Sequence, residues 1–340
     1  MARKSLQQRR IEALLQRQSV AVRKAFLEAM QKATNAVDRV ELIRLLEAGD
    51  IERAAALFRI ERGTMFPLSE AIRDAFIGGG LAVADELPKG LSGVFGFDGR
   101  HDRAVALAER QAAELVTNIS EESVENARKL IVDGLRTNRG VNSIARDLGG
   151  VKRGTKRVGG VIGLTEPQTE RLIRLRGMLS DPDQMQDYFL DAGMKTPRYK
   201  EANRRFDGLV RKAIKSGKPL SQADIDRIAN GYEVKAAGNR AKIVARNEAF
   251  TAQAAGREEA YQQLLDDGKV EAVTVRWQHN LSKNAREDHL AMDGEVIQLG
   301  ETFNFPDGTQ MKHPHDPAGG AEHSVNCRCI AVYRTRIPKD

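Results

Sequence analysis

Two cysteines in 340 residues, Cys327 and Cys329, are too few for a disulfide scaffold. A bridge between positions only two apart would also be strained, so reduced thiols in an intracellular chain are the expectation. Aromatic residues make up 5% of the chain, with a single tryptophan, which argues against a β-sandwich and for a helix-rich fold. No run approaches the roughly 18 consecutive apolar residues that a membrane span requires. The best one, Ile77 to Val83, is interrupted by Gly78, Gly79 and Gly80. The basic N-terminus lacks an apolar core segment and a small-residue cleavage site, so no secretory signal is expected. Absent too are the HExxH, GxSxG and Walker spacings that announce common catalysts.

What is present is length for about two domains and an uneven distribution of charge. The net charge is +7, but residues 1–32 carry eight basic and two acidic side chains, 139–178 nine and three, and 195–218 nine and two. Segregation of this kind fits contact with nucleic acid or an acidic protein surface, and it fits solvated helix faces equally well.

From Ser5 to Ala48 neither Gly nor Pro occurs, and apolar residues recur at gaps of three, four and seven. The spacing predicts amphipathic helix, ended at Gly49–Asp50 and resumed over Ile51 to Ile60. Such a face docks on a partner or packs on its own domain. Residues 1–77 therefore read as an N-terminal helical region. Residues 78–100, with seven glycines and Pro88, read as a loop or boundary. Residues 101–240 form a helical middle region. Its expected helices are His101 to Asn118, Ser120 to Leu135 with Ser120 as N-cap, and Gly140 to Leu148. Others are opened by a Thr165–Gln168 capping box, by Thr196–Pro197, and by Ser221 with Asp224. Between them, the loop 149–163 mixes six glycines with Lys152, Arg153, Lys156 and Arg157. It reads as a flexible basic loop suited to contacting a phosphate backbone.

A long helix from Gly231 to Leu265 precedes a change of texture. Val273, Val275 and Trp277 alternate with polar residues, the period of a half-buried strand. A short helix from Asn284 to Met292 follows, with short strands over Val296 to Leu299, Phe303 to Phe305 and Ile330 to Tyr333. The expected fold class is α+β: mostly helical N-terminal and middle regions, then a small C-terminal α+β domain with short antiparallel strands, over residues 241–335.

Five of the six histidines lie in that domain, at His279, His289, His313, His315 and His323, with both cysteines. Residues two apart on a strand share a face, so Cys327 and Cys329 would present two thiolates to one ion. Two of the histidines would complete a tetrahedral Cys₂His₂ zinc site. The same residues also read as a buried small side chain at Cys329 and hydrogen-bonding loop histidines. A third reading has histidines with Asp288, Asp293 and Asp316 hold a catalytic metal for phosphodiester cleavage, although no nucleophile, base and orienting group fall in a recognisable order.

The succession Ala245-Arg246-Asn247-Glu248 on a long helix, a strand ending in Trp277, Arg286-x-x-His289, Asp293-Gly294, Pro306 and finally Asn326-Cys327-Arg328-Cys329 resembles the phage Mu F-like minor head protein family over residues 241–335. The resemblance implies a non-enzymatic structural role in the head of a tailed double-stranded DNA bacteriophage. Its expected partners are the portal protein, the major capsid protein and packaged DNA, with no membrane. The location implied is the virion head at the portal vertex, reached through the host cytoplasm during assembly, in support of head assembly, DNA packaging or ejection. His289, Cys327 and Cys329 sit at the family's polar positions. With His323 they form the expected structural zinc ligands, while the other histidines between Met311 and Ser324 leave the fourth ligand open. The expected DNA contacts are Lys152, Arg153, Lys156 and Arg157. Rival readings are an internal DNA-binding head protein without portal contact, and a metal-dependent nuclease or effector using the C-terminal histidines and cysteines.

Overall fold

Helix boundaries in this chain are set by a few side chains that take up the unpaired N–H groups of a first turn. The computed structural model describes residues 5–279 and 285–338. The expected region from residue 1 and short helix from Asn284 thus begin outside the described residues. Helix α1 (Leu6–Ala36) ends just before Asp38, whose carboxylate accepts the N–H groups of Val40 and Glu41 and opens α2 (Arg39–Glu47). Asp50 does the same for α3 (Ile51–Ala56) through the N–H of Arg53. The helices α4 (Arg62–Leu81) and α5 (Lys89–Ser92) follow.

The structure then departs from the expected break at Ser120. Helix α6 (Asp102–Arg136) runs through it, because no Gly or Pro occurs between Asp102 and Asp133. Ser120 caps nothing; its Oγ accepts the N–H of Ile60 at 3.0 Å. After α7 (Val141–Gly149), the basic stretch is a hairpin of β1 (Val151–Arg153) and β2 (Lys156–Val158) rather than a featureless loop. The Thr165–Gln168 capping box opens α8 (Glu166–Ser180) as the sequence suggests. Thr196–Pro197 opens no helix: Pro197 forms a bridge with Phe189, and α9 (Asp207–Ser216) begins after a 3₁₀ turn capped by Asn203. Helix α10 (Gln222–Asp266) joins in 45 residues what read as two helices. The remaining elements are β3 (Ala272–Gln278), α11 (Glu287–Ala291), β4 (Val296–Gln298), β5 (Phe303–Asn304), β6 (Gln310–Met311), α12 (Gly320–Ser324) and β7 (Ile330–Arg336). No helix among the described residues is long and apolar enough to cross a membrane.

Two compact units are assembled from non-contiguous segments: Met1–Ala25, Pro67–Glu114 and Ile243–Asp340 in the first, Phe26–Phe66 and Leu115–Lys242 in the second. The first contains an antiparallel sheet in the order β4-β3-β7, with Val275 opposite Tyr333 and Trp277 opposite Ala331. Val273, Val275 and Trp277 are all buried, as strand alternation requires. They share a core with Tyr261 and Leu264 of α10, Phe303, Phe305 and Met311.

The glycines at 78–80 belong to α4 and not to a loop. A Cβ on Gly79 would stand 2.4 Å from the backbone oxygen of Gln253, and one on Gly256 2.0 Å from that of Phe76. These glycines let α4 approach the α10 backbone within this unit, which outweighs their poor helix propensity. In the second unit the core holds charge. Buried Arg176 meets Asp147 and Asp226, with Arg139 on Asp147 at 2.6 Å.

Candidate metal centre

The two thiols converge through a turn, not along a strand. Both cysteines precede β7, and the turn is set by Asn326 in the left-handed region at φ 59°. The N–H of Cys329 donates to the Cys327 Sγ at 3.3 Å. Neither cysteine is in a disulfide. Facing them is His289 on the short α11, whose Nδ1 lies 3.5 Å from each sulfur. Tetrahedral coordination with Zn–S of about 2.3 Å and Zn–N of about 2.05 Å puts sulfur and nitrogen ligands about 3.6 Å apart. The three donor atoms all lie within 4.8 Å of one another, so this set has the spacing and the chemistry of a zinc site.

The remaining family-like residues hold this arrangement. Asn247 on α10 accepts the N–H of Asn326 through its side chain at 3.3 Å. Arg286 donates to the carbonyl of Val325 at 2.8 Å. Asp293 accepts the N–H of His279 at 2.8 Å, and the N–H of Gly294, at φ 93°, returns to the Trp277 carbonyl. Trp277 packs edge-on against His289 and Phe305, with centroids 5.6 and 5.2 Å apart. Asn247 and Arg286 thus clamp the turn that carries the two buried cysteines, while Asp293 and Gly294 tie the end of β3.

Behind His289 lies a relay. Its Nε2 is 3.2 Å from His323 Nδ1, and His323 Nε2 is 2.9 Å from Asp307. Asp307 is held below the usual carboxylate range by the N–H of Thr309 and then by His323, so it is an ionised acceptor. His323 therefore carries its proton on Nε2 and accepts on Nδ1 from His289, which leaves the His289 Nδ1 lone pair turned toward the sulfurs. The Cys327 thiol is drawn far below the ordinary range by the Cys329 hydrogen bond, against burial, with His289 and His315 adding to the effect. A thiolate is the form that binds metal.

The structure thus brings three of the four expected ligands together and sets His323 one step back, in a second group with Asp288 and Asp307. His313 lies between the Pro314 carbonyl and Glu258, at 2.9 and 3.1 Å. His315, which the sequence did not distinguish from its neighbours, is buried against Phe250 with ring centroids 4.1 Å apart.

The basic residues Lys152, Arg153, Lys156 and Arg157 sit on β1 and β2, with Lys152 opposite Arg157 and Arg153 opposite Lys156. The hairpin is tied to α1 within the second unit. Asn35 accepts the N–H of Arg157, and Gln31 donates to its carbonyl. In the same unit Arg136, Arg139, Arg174 and Arg198 line a cavity of about 710 Å³, drawing on the basic stretches around 139–178 and 195–218.

Residues 205–332 match the family described as "Phage Mu protein F like protein". The match begins earlier than the resemblance at 241, taking in α9 and the first half of α10. YqbB of Bacillus subtilis (strain 168), itself described as uncharacterized, is 33% identical over 94 residues. That alignment covers 27% of this chain and 29% of YqbB, so the chain matches less than a third of its relative's length. No solved structure matches. Every residue of the thiol–imidazole cluster, its relay and its clamps falls inside the matched segment, so the likeness to Phage Mu F-like proteins lies in residues 205–332 and includes the site.

Proposed function

We propose that the chain is a structural component of a tailed bacteriophage head. In this reading it acts in head morphogenesis at the portal vertex, in contact with portal and major capsid proteins, and supports DNA packaging or ejection. The observation that carries this is the family match over residues 205–332. The chemistry of the matched residues agrees with it. Arg286 and Asn247 are engaged in holding one turn and Asp293 the end of β3, a use suited to a stable assembly module rather than to turnover.

The C-terminal module would hold a structural zinc ion on Cys327, Cys329 and His289. The donor set fits, being two thiols and an imidazole nitrogen at ligand spacing. The exposed basic hairpin would meet packaged DNA through phosphates without reading sequence. Such contacts release counterions, so replacing Lys152, Arg153, Lys156 and Arg157 with Ala should lower the log–log salt slope by up to about 3.6.

The deciding measurement is mass spectrometry of heads purified before DNA is packaged. A few copies of the chain, co-purifying with portal, are expected. Presence only in DNA-filled heads would favour an internal DNA-binding protein, and absence from all particles would overturn the reading. Nicking of plasmid DNA by the purified chain with divalent metal would favour a nuclease.

A further inference from the structure

A structural zinc site takes four protein ligands, and among the described residues three donors converge at the turn. The fourth must come from a side chain on the wall of the same pocket whose donor atom is not already engaged. His323 does not qualify, because His289 occupies one of its nitrogens and Asp307 the other. His313 does not qualify either, since its two nitrogens meet the Pro314 carbonyl and Glu258.

His315 is different in three independent respects. It is 1% exposed, yet neither Nδ1 nor Nε2 has a hydrogen-bond partner. Burying an imidazole in that state costs about 1–3 kcal/mol for each unsatisfied group. Its backbone is in the left-handed region at φ 70°, a conformation that costs a non-glycine residue of order 1–3 kcal/mol and persists only where the surroundings impose it. Its ring is stacked on Phe250, interplanar angle 14°, which fixes the plane in which its nitrogens point. Phe250 lies three residues along α10 from Asn247, whose side chain holds the Asn326 turn beside the sulfurs, although His315 is outside the closest group of three donors.

Resting on the zinc reading above, we propose that His315 is the fourth ligand of the ion held by Cys327, Cys329 and His289, and that His323 positions His289 without touching metal. A metal bond accounts for one of the two orphaned nitrogens, and the strained backbone accounts for how a residue on an irregular segment reaches the pocket. It also explains why two neighbouring histidines in the His313-Pro314-His315 run have different fates: one pairs with Glu258, while the other keeps both ring nitrogens unpaired in the interior.

The test uses the full chain purified without a histidine tag, stripped and reloaded with Co²⁺, whose visible absorption reports ligand number and type. The wild type should take one ion per chain with the intense bands of a tetrahedral S₂N₂ site. His315→Ala should lose more affinity than the ~10–100-fold typical of an outer-shell change, and its bands should weaken as water enters. His323→Ala should stay within that outer-shell range and keep the wild-type bands. His315→Cys, which restores a ligand, should regain one ion per chain with added thiolate charge-transfer absorption, and it serves where the alanine variant fails to fold. Wild-type bands in folded His315→Ala or His315→Cys would overturn the assignment of His315 alone. Loss of the tetrahedral bands in His323→Ala with none in His315→Ala would give the position to His323. No metal on the wild type, or metal retained after Cys327→Ser with Cys329→Ser, would sink the zinc reading itself.

Discussion

Each unit hides a polar centre, and the two are satisfied in opposite ways. In the second, charge meets charge. Arg176 binds Asp147 and Asp226, Arg139 binds Asp147, Arg146 reaches Asp226 at 3.0 Å, and Ser143 donates to Asp226 at 2.9 Å. Three guanidinium groups answer the two carboxylates, so the charge of each carboxylate is met by the chain's own residues. In the first, two thiols and an imidazole converge with no guanidinium or carboxylate among the nearest three donors. Two thiols and an imidazole at ligand spacing form a site for an ion supplied from outside. Burying polar atoms is costly in both places; what differs is where the compensation comes from.

That contrast can be broken most severely at the thiols. Replacing both Cys327 and Cys329 with Ser should abolish metal binding. The C-terminal sheet should lose cooperative unfolding, since structural zinc in small domains is worth ~10–16 kcal/mol near pH 7. Elemental analysis and thermal melts with and without chelator check this, and a wild-type melt indifferent to chelator would remove the contrast. Next comes the ion-pair network. Arg176→Ala removes the guanidinium shared by two buried carboxylates, leaving Asp147 with Arg139 and Asp226 with Arg146, and should cost ~3 kcal/mol, read from urea midpoints, with chelator making no difference to the loss.

The smallest effect, and the sharpest, concerns Glu233. It accepts the N–H of Gly160 at 2.8 Å, while burial and then Asp147 push its carboxyl well above the ordinary range. The folded state therefore binds its proton more tightly than the unfolded state. Its stabilising share is complete below the ordinary carboxylate pKa and is lost as pH rises through the window between the unfolded and folded values. Glu233→Gln should accordingly match the wild type near pH 4 and exceed it at pH 7 by about 2–4 °C in melting temperature. A melting difference constant across that range would show that Glu233 does not titrate against its neighbours. Asp226 runs the other way. Burial opposes its ionisation, but Arg176 and its hydrogen bonds bring its carboxyl below the ordinary range. Its contribution is present above the unfolded pKa and fades as pH falls through the folded one.

The sequence shows some of this plainly and hides the rest for identifiable reasons. The alternation around Trp277 and the Thr165–Gln168 capping box are local, and they survive folding unchanged. The gathering of histidines and cysteines in one domain was equally visible. What composition could not say is which imidazole nitrogens are spent elsewhere. His323 and His315 look alike in the chain, and only Asp307, sixteen residues before His323, distinguishes them. The Arg139–Asp147–Arg176–Asp226 network was invisible because hydropathy patterning assigns charged residues to solvent. Ser120 misled because a capping residue has no helix to cap where the preceding turn continues.

The glycines of α4 and α10 have one more implication, for how the chain tolerates change. At Gly79 and Gly256 a single added methyl collides with backbone that cannot step aside, whereas at Gly90, Gly93 and Gly96 nothing lies within 4 Å. A library of variants would therefore sort glycines that look equivalent on paper into two populations, forbidding and indifferent. At Gly79 and Gly256 the forbidding response would mark where α4 and α10 touch main chain to main chain.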